Sequence, residues 1–149
     1  MYAITGITGN AGGSVANSLL AAGQPVRPVM RNVGKGDLWV ERGCEVVHAD
    51  IADATSLASA FKGAEGAFVL VPPNFDPAPG FPEAGERADP GRVVNLSTIG
   101  AQARESNLLT QHTIIEQALG ELPMPITFLR PAWFIENFRW DVAAARDPG

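Results

Sequence analysis

Six short apolar runs, each separated from the next by a stretch of helical character, constrain this chain more than any other feature. They are "YAIT" (2–5), "PVRPVM" (25–30), "CEVVHA" (44–49), "GAFVLV" (66–71), "RVVNLS" (92–97) and "ITFLR" (126–130). Near-continuous Val, Ile, Phe and Leu mark strands covered on both faces, as in a parallel sheet. The segments between them, "GSVANSLLAAG", "GDLWVERG", "DATSLASAFKG" and "ESNLLTQHTIIEQALG", each end at a glycine: Gly23, Gly43, Gly63 and Gly120. Glycine there suits the left-handed residue that stops a helix. Asp53 can cap the third helix by accepting the free N–H groups of its first turn. Strands alternating with helices in this way predict an α/β protein with a doubly wound parallel sheet.

Two places resist that pattern. Pro28 removes a ladder hydrogen bond inside the second strand, which predicts an irregular strand. The link 74–91 between strands 4 and 5 carries four prolines and can supply a helix only over "PEAGERAD". A parallel crossover normally takes a dozen or more residues, mostly helical. The link is therefore a loop with one helical turn, or the chain lacks a segment there.

At 149 residues, with 46% hydrophobic and 18% charged side chains, the chain can bury the core of one globular domain. No stretch approaches the ~20 apolar residues of a membrane span. "YAITG" begins at residue 2 and leaves no room for a secretory leader, so a cytoplasmic protein is expected. The lone Cys44 fits a reducing compartment and reads as a small buried hydrophobe opening the third strand. A net charge of −5 argues against nucleic-acid binding, which needs surplus Lys and Arg. With two histidines and no Cys/His cluster, no metal site is expected.

Gly6-Ile7-Thr8-Gly9-Asn10-Ala11-Gly12 leaves the first strand and opens a helix. At such a junction glycine permits a tight turn and close backbone approach to a diphosphate, which the N–H groups of the helix terminus attract. The placement, more than the spacing, points to dinucleotide binding over a plain glycine-rich turn. An acid about 20 residues further on would favour NAD. Here stand Arg31 and Asn32, with Lys35 behind and no acid before Asp37. A guanidinium suits a 2′-phosphate, so NADP(H) is preferred over NAD(H).

With "ITGITGNAGGSV", "VMRN", "HADIAD", "FVLVPP", "VVNLSTIGA", "QHTIIEQAL" and "ITFLRPAWFIENF" in order over residues 1 to 138, the chain resembles the NmrA-like family of atypical short-chain dehydrogenases. The resemblance implies an NADP-binding Rossmann domain over 1–140, with 141–149 beginning a C-terminal region that is mostly absent. It also implies cofactor contacts at Gly6, Thr8, Gly9, Asn10, Ala11, Gly12 and Arg31, at Asp50 and Ile51, and at Val71, Pro72 and Pro73. Pro131, Trp133 and Phe134 would lie near the nicotinamide. Three departures stand out: the short 74–91 link, the end at 149, and Gln111 where many members carry Lys.

The Tyr-x-x-x-Lys pair of classical short-chain dehydrogenases has no counterpart, since the only tyrosine is Tyr2 and the only lysines are Lys35 and Lys62. At the matching helix stands His112-x-x-x-Glu116, one turn apart, where the carboxylate could orient an imidazole acid. The plain alternative is a surface histidine with an acidic neighbour. Ser97 and Thr98 end strand 5, where open α/β sheets bind ligands, or simply finish the strand. Ser97 would meet the cofactor and Thr98 the substrate. Phe128, Trp133, Phe134, Phe138 and Trp140 gather five of eleven aromatics in thirteen residues. They form either an apolar floor for a quinone-like substrate, with Asn137 and Phe138 as substrate contacts, or packing. Two functions follow: an NADPH-dependent reductase of quinone-like or activated carbonyl compounds, and a non-catalytic NADP(H) sensor acting through a protein partner. Partners are thus a small molecule or a regulatory protein, with a homodimer as a further expectation.

Overall fold

The computed structural model describes residues 1–71, 86–102, 110–132, 134–138 and 142. Its strands are β1 (Tyr2–Ile4), β2 (Val26–Met30), β3 (Val47–His48), β4 (Gly66–Val69), β5 (Val93–Leu96) and β6 (Ile126–Leu129). Helices α1 (Asn10–Ala21), α2 (Asp37–Glu41), α3 (Ala54–Phe61) and α4 (Thr110–Gly120) alternate with them. All pairings are parallel, in the order β3-β2-β1-β4-β5-β6. This is the expected doubly wound Rossmann architecture. The order reverses between β1 and β4, so the two halves part at the β1 C-terminus, where open sheets bind ligands.

Alternation along each strand divides the core into two layers. Ile4, Val26 and Phe68 pack with Ala16 and Trp39 on the side of α1 and α2. Ala3, Val29, Val69 and Val93 pack with Leu57, Phe61, Ile115 and Leu119 on the side of α3 and α4. Full burial of a side chain such as Leu57 or Ile115 contributes about 1.5–3 kcal/mol. No helix among the described residues is long and apolar enough to cross a membrane.

Gly23, Gly43 and Gly63 end their helices at φ of 71°, 79° and 73°. Gly120 does not: it is the last residue of α4. A 3.0 Å bond from Leu122 N–H to Leu119 C=O tightens that end without a left-handed residue. Asp53 caps α3 as expected, its carboxylate accepting from Thr55 and Ser56 N–H at 2.9 and 3.3 Å.

Pro28 corrects one expectation. It is fully buried within a regular β2, opposite Ile4. Pro25 C=O faces β1 by accepting from Tyr2 N–H, and Met30 C=O faces β3 by accepting from Ala49 N–H. Alternation then turns the missing Pro28 N–H towards β3. The irregularity falls on β3 instead, which pairs only at Val29–Val47 and Met30–His48. Cys44 is buried, yet it precedes that strand, its N–H bonded to Trp39 C=O in the turn after α2. Of the 74–91 link, a helical turn at 86–88 is described, with Ala88 in the core; 74–85 lies outside the described residues.

Candidate functional site

The turn out of β1 is built on backbone contacts. Gly6 adopts φ 62°, a conformation natural only to glycine. Its carbonyl accepts Gly9 N–H at 3.0 Å. Helix α1 begins at Asn10, three residues earlier than the sequence suggests, and no side chain caps it. The N–H groups of its first turn are therefore available to an anion. A Cβ on Gly12 would lie 2.4 Å from Gly6 O, whereas one on Gly9 would meet only that oxygen, at 3.4 Å. Gly12 thus lets helix and loop touch, while Gly9 leaves room above the helix terminus. Thr5 fastens the turn to the end of β4: its Oγ1 accepts Leu70 N–H at 2.8 Å and donates to Leu70 C=O at 3.1 Å.

Beside the turn lies a cleft of about 220 Å³ walled by Gly6, Ile7 and Thr8, by Met30 and Arg31 after β2, and by Ala49 and Ile51 after β3. Val29, Leu57 and Leu70 complete its apolar lining. Arg31 is exposed. Among the described residues it makes no hydrogen bond or ion pair, which leaves a bare cation at the mouth of an apolar slot. Asp50 is outside the lining; its carboxylate accepts Ala52 N–H at 3.0 Å and shapes the loop that presents Ile51. On the other side of the α1 terminus, Asn10, Ala11 and Ser14 share a second cleft of about 260 Å³ with Phe134 and Glu136. Of the expected contacts, Gly6, Thr8, Arg31 and Ile51 line the first cleft and Asn10, Ala11 and Phe134 the second.

The expected His112–Glu116 contact is not made. The Glu116 carboxylate instead takes Arg130 Nε and Nη2 at 2.8 and 2.6 Å, and the Ser97 hydroxyl at 2.5 Å. Bidentate pairing with a guanidinium, in a geometry Arg130 fixes from the end of β6, outcompetes an imidazole on its own helix. Hydrogen bonding from Arg130, opposed by burial and aided by Ser97, holds Glu116 below the ordinary carboxylate range. Burial, only partly offset by Glu116, pushes His112 below the ordinary imidazole value, and its Nδ1 is buried without a partner. Ser97 and Thr98 are buried at the end of β5. Val71 lies in the core beyond β4, and Pro131 C=O accepts Ile99 N–H. Of the aromatic cluster, Phe134 and Phe138 are exposed and Phe128 packs against the core. Pro72, Pro73, Trp133 and Trp140 lie outside the described residues, and Asn137 sits in a short 3₁₀ turn, Ile135–Asn137. Among the described residues no cluster of His, Cys, Asp or Glu could hold a metal.

The model of the NmrA-like family matches residues 2–79, more than half of the chain. The chain belongs to this family. The match takes in the glycine turn, Arg31 and Ile51, and ends before Ser97, His112 and Phe134. Quinone oxidoreductase 2 of Escherichia coli is 28% identical over 164 aligned positions, covering all of this chain and 54% of that protein. Its crystal structure with NADPH superposes at a TM-score of 0.85, covering 97% of this chain and 53% of the other. The Citrobacter sp. triphenylmethane reductase complexed with NADP(H) is 27% identical at a TM-score of 0.80, covering 96% of this chain and 55% of that one. This NmrA-like chain therefore spans about half the length of these relatives. Sequence reasoning missed Thr5, Ile7, Met30 and Leu70 in the site, and Arg130 as the partner of Glu116. Only the position of Thr5 before Gly6 and of Arg130 after a strand signals them.

Proposed function

We propose that this chain binds NADP(H) across the two clefts, and that the protein is an NADPH-dependent reductase of quinone-like or activated carbonyl compounds. The observation that carries it is Arg31, a guanidinium without a partner among the described residues, at the mouth of an apolar slot beside the turn of Gly6, Ile7 and Thr8. The residues fit the group in three respects. The apolar lining takes a planar base, Arg31 pairs with a 2′-phosphate, and the uncapped first turn of α1 receives the diphosphate. Phe134 would then border the nicotinamide half. Bound there, the dinucleotide supplies a hydride, and the chain's task is binding and orientation. The relatives described above are named as reductases or oxidoreductases, which favours the enzyme over the sensor.

The geometry also bears on the acceptor. A neutral His112 is a poor proton donor, and no described residue pairs with it to improve that role. A quinone leaves a stabilised anion that takes its proton from water, whereas an unactivated ketone needs a positioned acid. Quinones are therefore the expected acceptors.

Titration calorimetry tests the binding. Arg31→Ala is expected to weaken NADPH by about 10–100-fold, the worth of a hydrogen-bonded charge pair, and NADH by no more than about twofold. Equal loss for both dinucleotides would remove Arg31 from the 2′-phosphate. NADPH oxidation over a panel of quinones and simple ketones tests the reaction. Brisk turnover of an unactivated ketone that collapses in His112→Ala would restore His112 as the acid.

A further inference from the structure

Three elements meet at the end of β5. Ser97 follows that strand, Glu116 projects from α4, and Arg130 follows β6, joined to β5 by Ser97 N–H donating to Leu129 C=O at 2.7 Å. Ser97 is 5% exposed. A carboxylate held by both Nε and Nη2 of an arginine is ionised and can only accept. Glu116 therefore receives the single hydrogen of the Ser97 hydroxyl, and what Ser97 keeps is lone pairs.

Asn95 adds an independent observation. It lies two residues earlier on the same face as Ser97, since Val94 and Leu96 pack on the opposite layer. Asn95 is 0% exposed; its Nδ2 donates to Val69 C=O at 3.1 Å, and its Oδ1 has no donor. Asn95 is sealed inside the sheet, so of these two acceptors only Ser97, at the strand end, is within a ligand's reach. An unsatisfied buried acceptor is costly, so a ligand that brings a donor gains.

We propose that Glu116 is a positioning residue: by holding the Ser97 hydrogen it makes Ser97 an obligatory acceptor for a hydroxyl or amide donor on the nicotinamide half of the dinucleotide. The proposal rests on the dinucleotide reading above. It gives Ser97 the opposite polarity from a group that donates to a substrate oxygen.

The test compares NADPH with 2′,5′-ADP, which keeps the phosphorylated adenosine and lacks the nicotinamide riboside. By calorimetry, Ser97→Ala and Glu116→Gln are each expected to weaken NADPH by about tenfold, the worth of one hydrogen bond, and to leave 2′,5′-ADP unchanged. Combining them is expected to cost no more than Ser97→Ala alone. Equal loss for both ligands marks a merely structural network and overturns the proposal. So does an unchanged NADPH affinity, or a Glu116→Gln loss that persists on a Ser97→Ala background. Should Glu116→Gln fail to fold, Arg130→Lys breaks the two-point hold on the carboxylate and is expected to weaken NADPH severalfold while leaving 2′,5′-ADP unchanged; equal loss for both ligands, or no loss of NADPH affinity, overturns the proposal. The 3-acetylpyridine analogue of NADPH replaces the amide N–H₂ with a methyl. A Ser97→Ala effect that survives with this analogue assigns the donor to the ribose, and one that vanishes assigns it to the amide; both support the proposal. Wild type binding neither NADPH nor 2′,5′-ADP would instead sink the dinucleotide reading itself.

Discussion

Replacing Gly12 by alanine probes the contact that shapes the site. The added methyl group would sit 2.4 Å from Gly6 O, 2.6 Å from Gly6 C and 2.9 Å from Ile7 N. All three are backbone atoms, so no side chain can swing aside, and helix and loop must separate. Overpacking of this kind costs about 1–3 kcal/mol, against a gain of about 0.5–1 kcal/mol from removing a helical glycine. The net loss is at most about 2.5 kcal/mol, or a fall of up to roughly 10 °C in Tm at this chain length. Because Gly6 C=O also accepts Gly9 N–H, the same displacement spoils the anion cradle, and NADPH affinity is expected to fall at least tenfold. Gly9→Val provides the contrast. Its Cβ has room within the protein but would occupy the proposed diphosphate position, so binding is expected to be lost while Tm changes little. Thermal melts followed by circular dichroism, with calorimetry on the same samples, read both effects. A Gly12→Ala variant with unchanged Tm and unchanged NADPH affinity would refute the reasoning.

Asp53→Ala removes the one oxygen that accepts both N–H groups at the start of α3 and is expected to cost about 1 kcal/mol, read as a lower urea midpoint at unchanged slope. For His112, the folded imidazole titrates below the ordinary value because of burial. The unfolded chain then binds more protons as pH falls, so this group's contribution to stability is intact above about pH 6.5 and declines below it, towards its folded value. His112→Asn is expected to flatten that decline in denaturant melts taken across the window. A variant with the same acid-side slope as wild type would show that His112 is not its source.

What was legible in the sequence was local. Near-continuous apolar runs locate every strand, because a parallel strand covered on both faces leaves few positions for polar side chains. The glycine turn and Arg31 were legible because each sits at a strand end, where topology brings it to the same edge. The early start of α1 was hidden by Gly12 and Gly13, poor helix formers, the first of which close contact with Gly6 requires. Glu116 was misassigned because i,i+4 spacing names a neighbour, whereas Arg130 arrives through β5–β6 pairing that no local pattern encodes. The apolar walls of the cleft come from the ends of β1, β2, β3 and β4 and from Leu57 of α3 at once, and only the assembled sheet makes them one surface.

Pro28 also protects the sheet from its own copies. Edge strands expose unpaired backbone groups on which another chain can add a strand. By withholding its N–H from the third strand, Pro28 keeps that edge to Val47 and His48, a template only about 7 Å long. Among the described residues the opposite edge, Ile126–Leu129, is twice as long in residues and carries exposed Thr127 and Leu129. Addition of a further strand through backbone hydrogen bonds is thereby disfavoured on the side of the third strand.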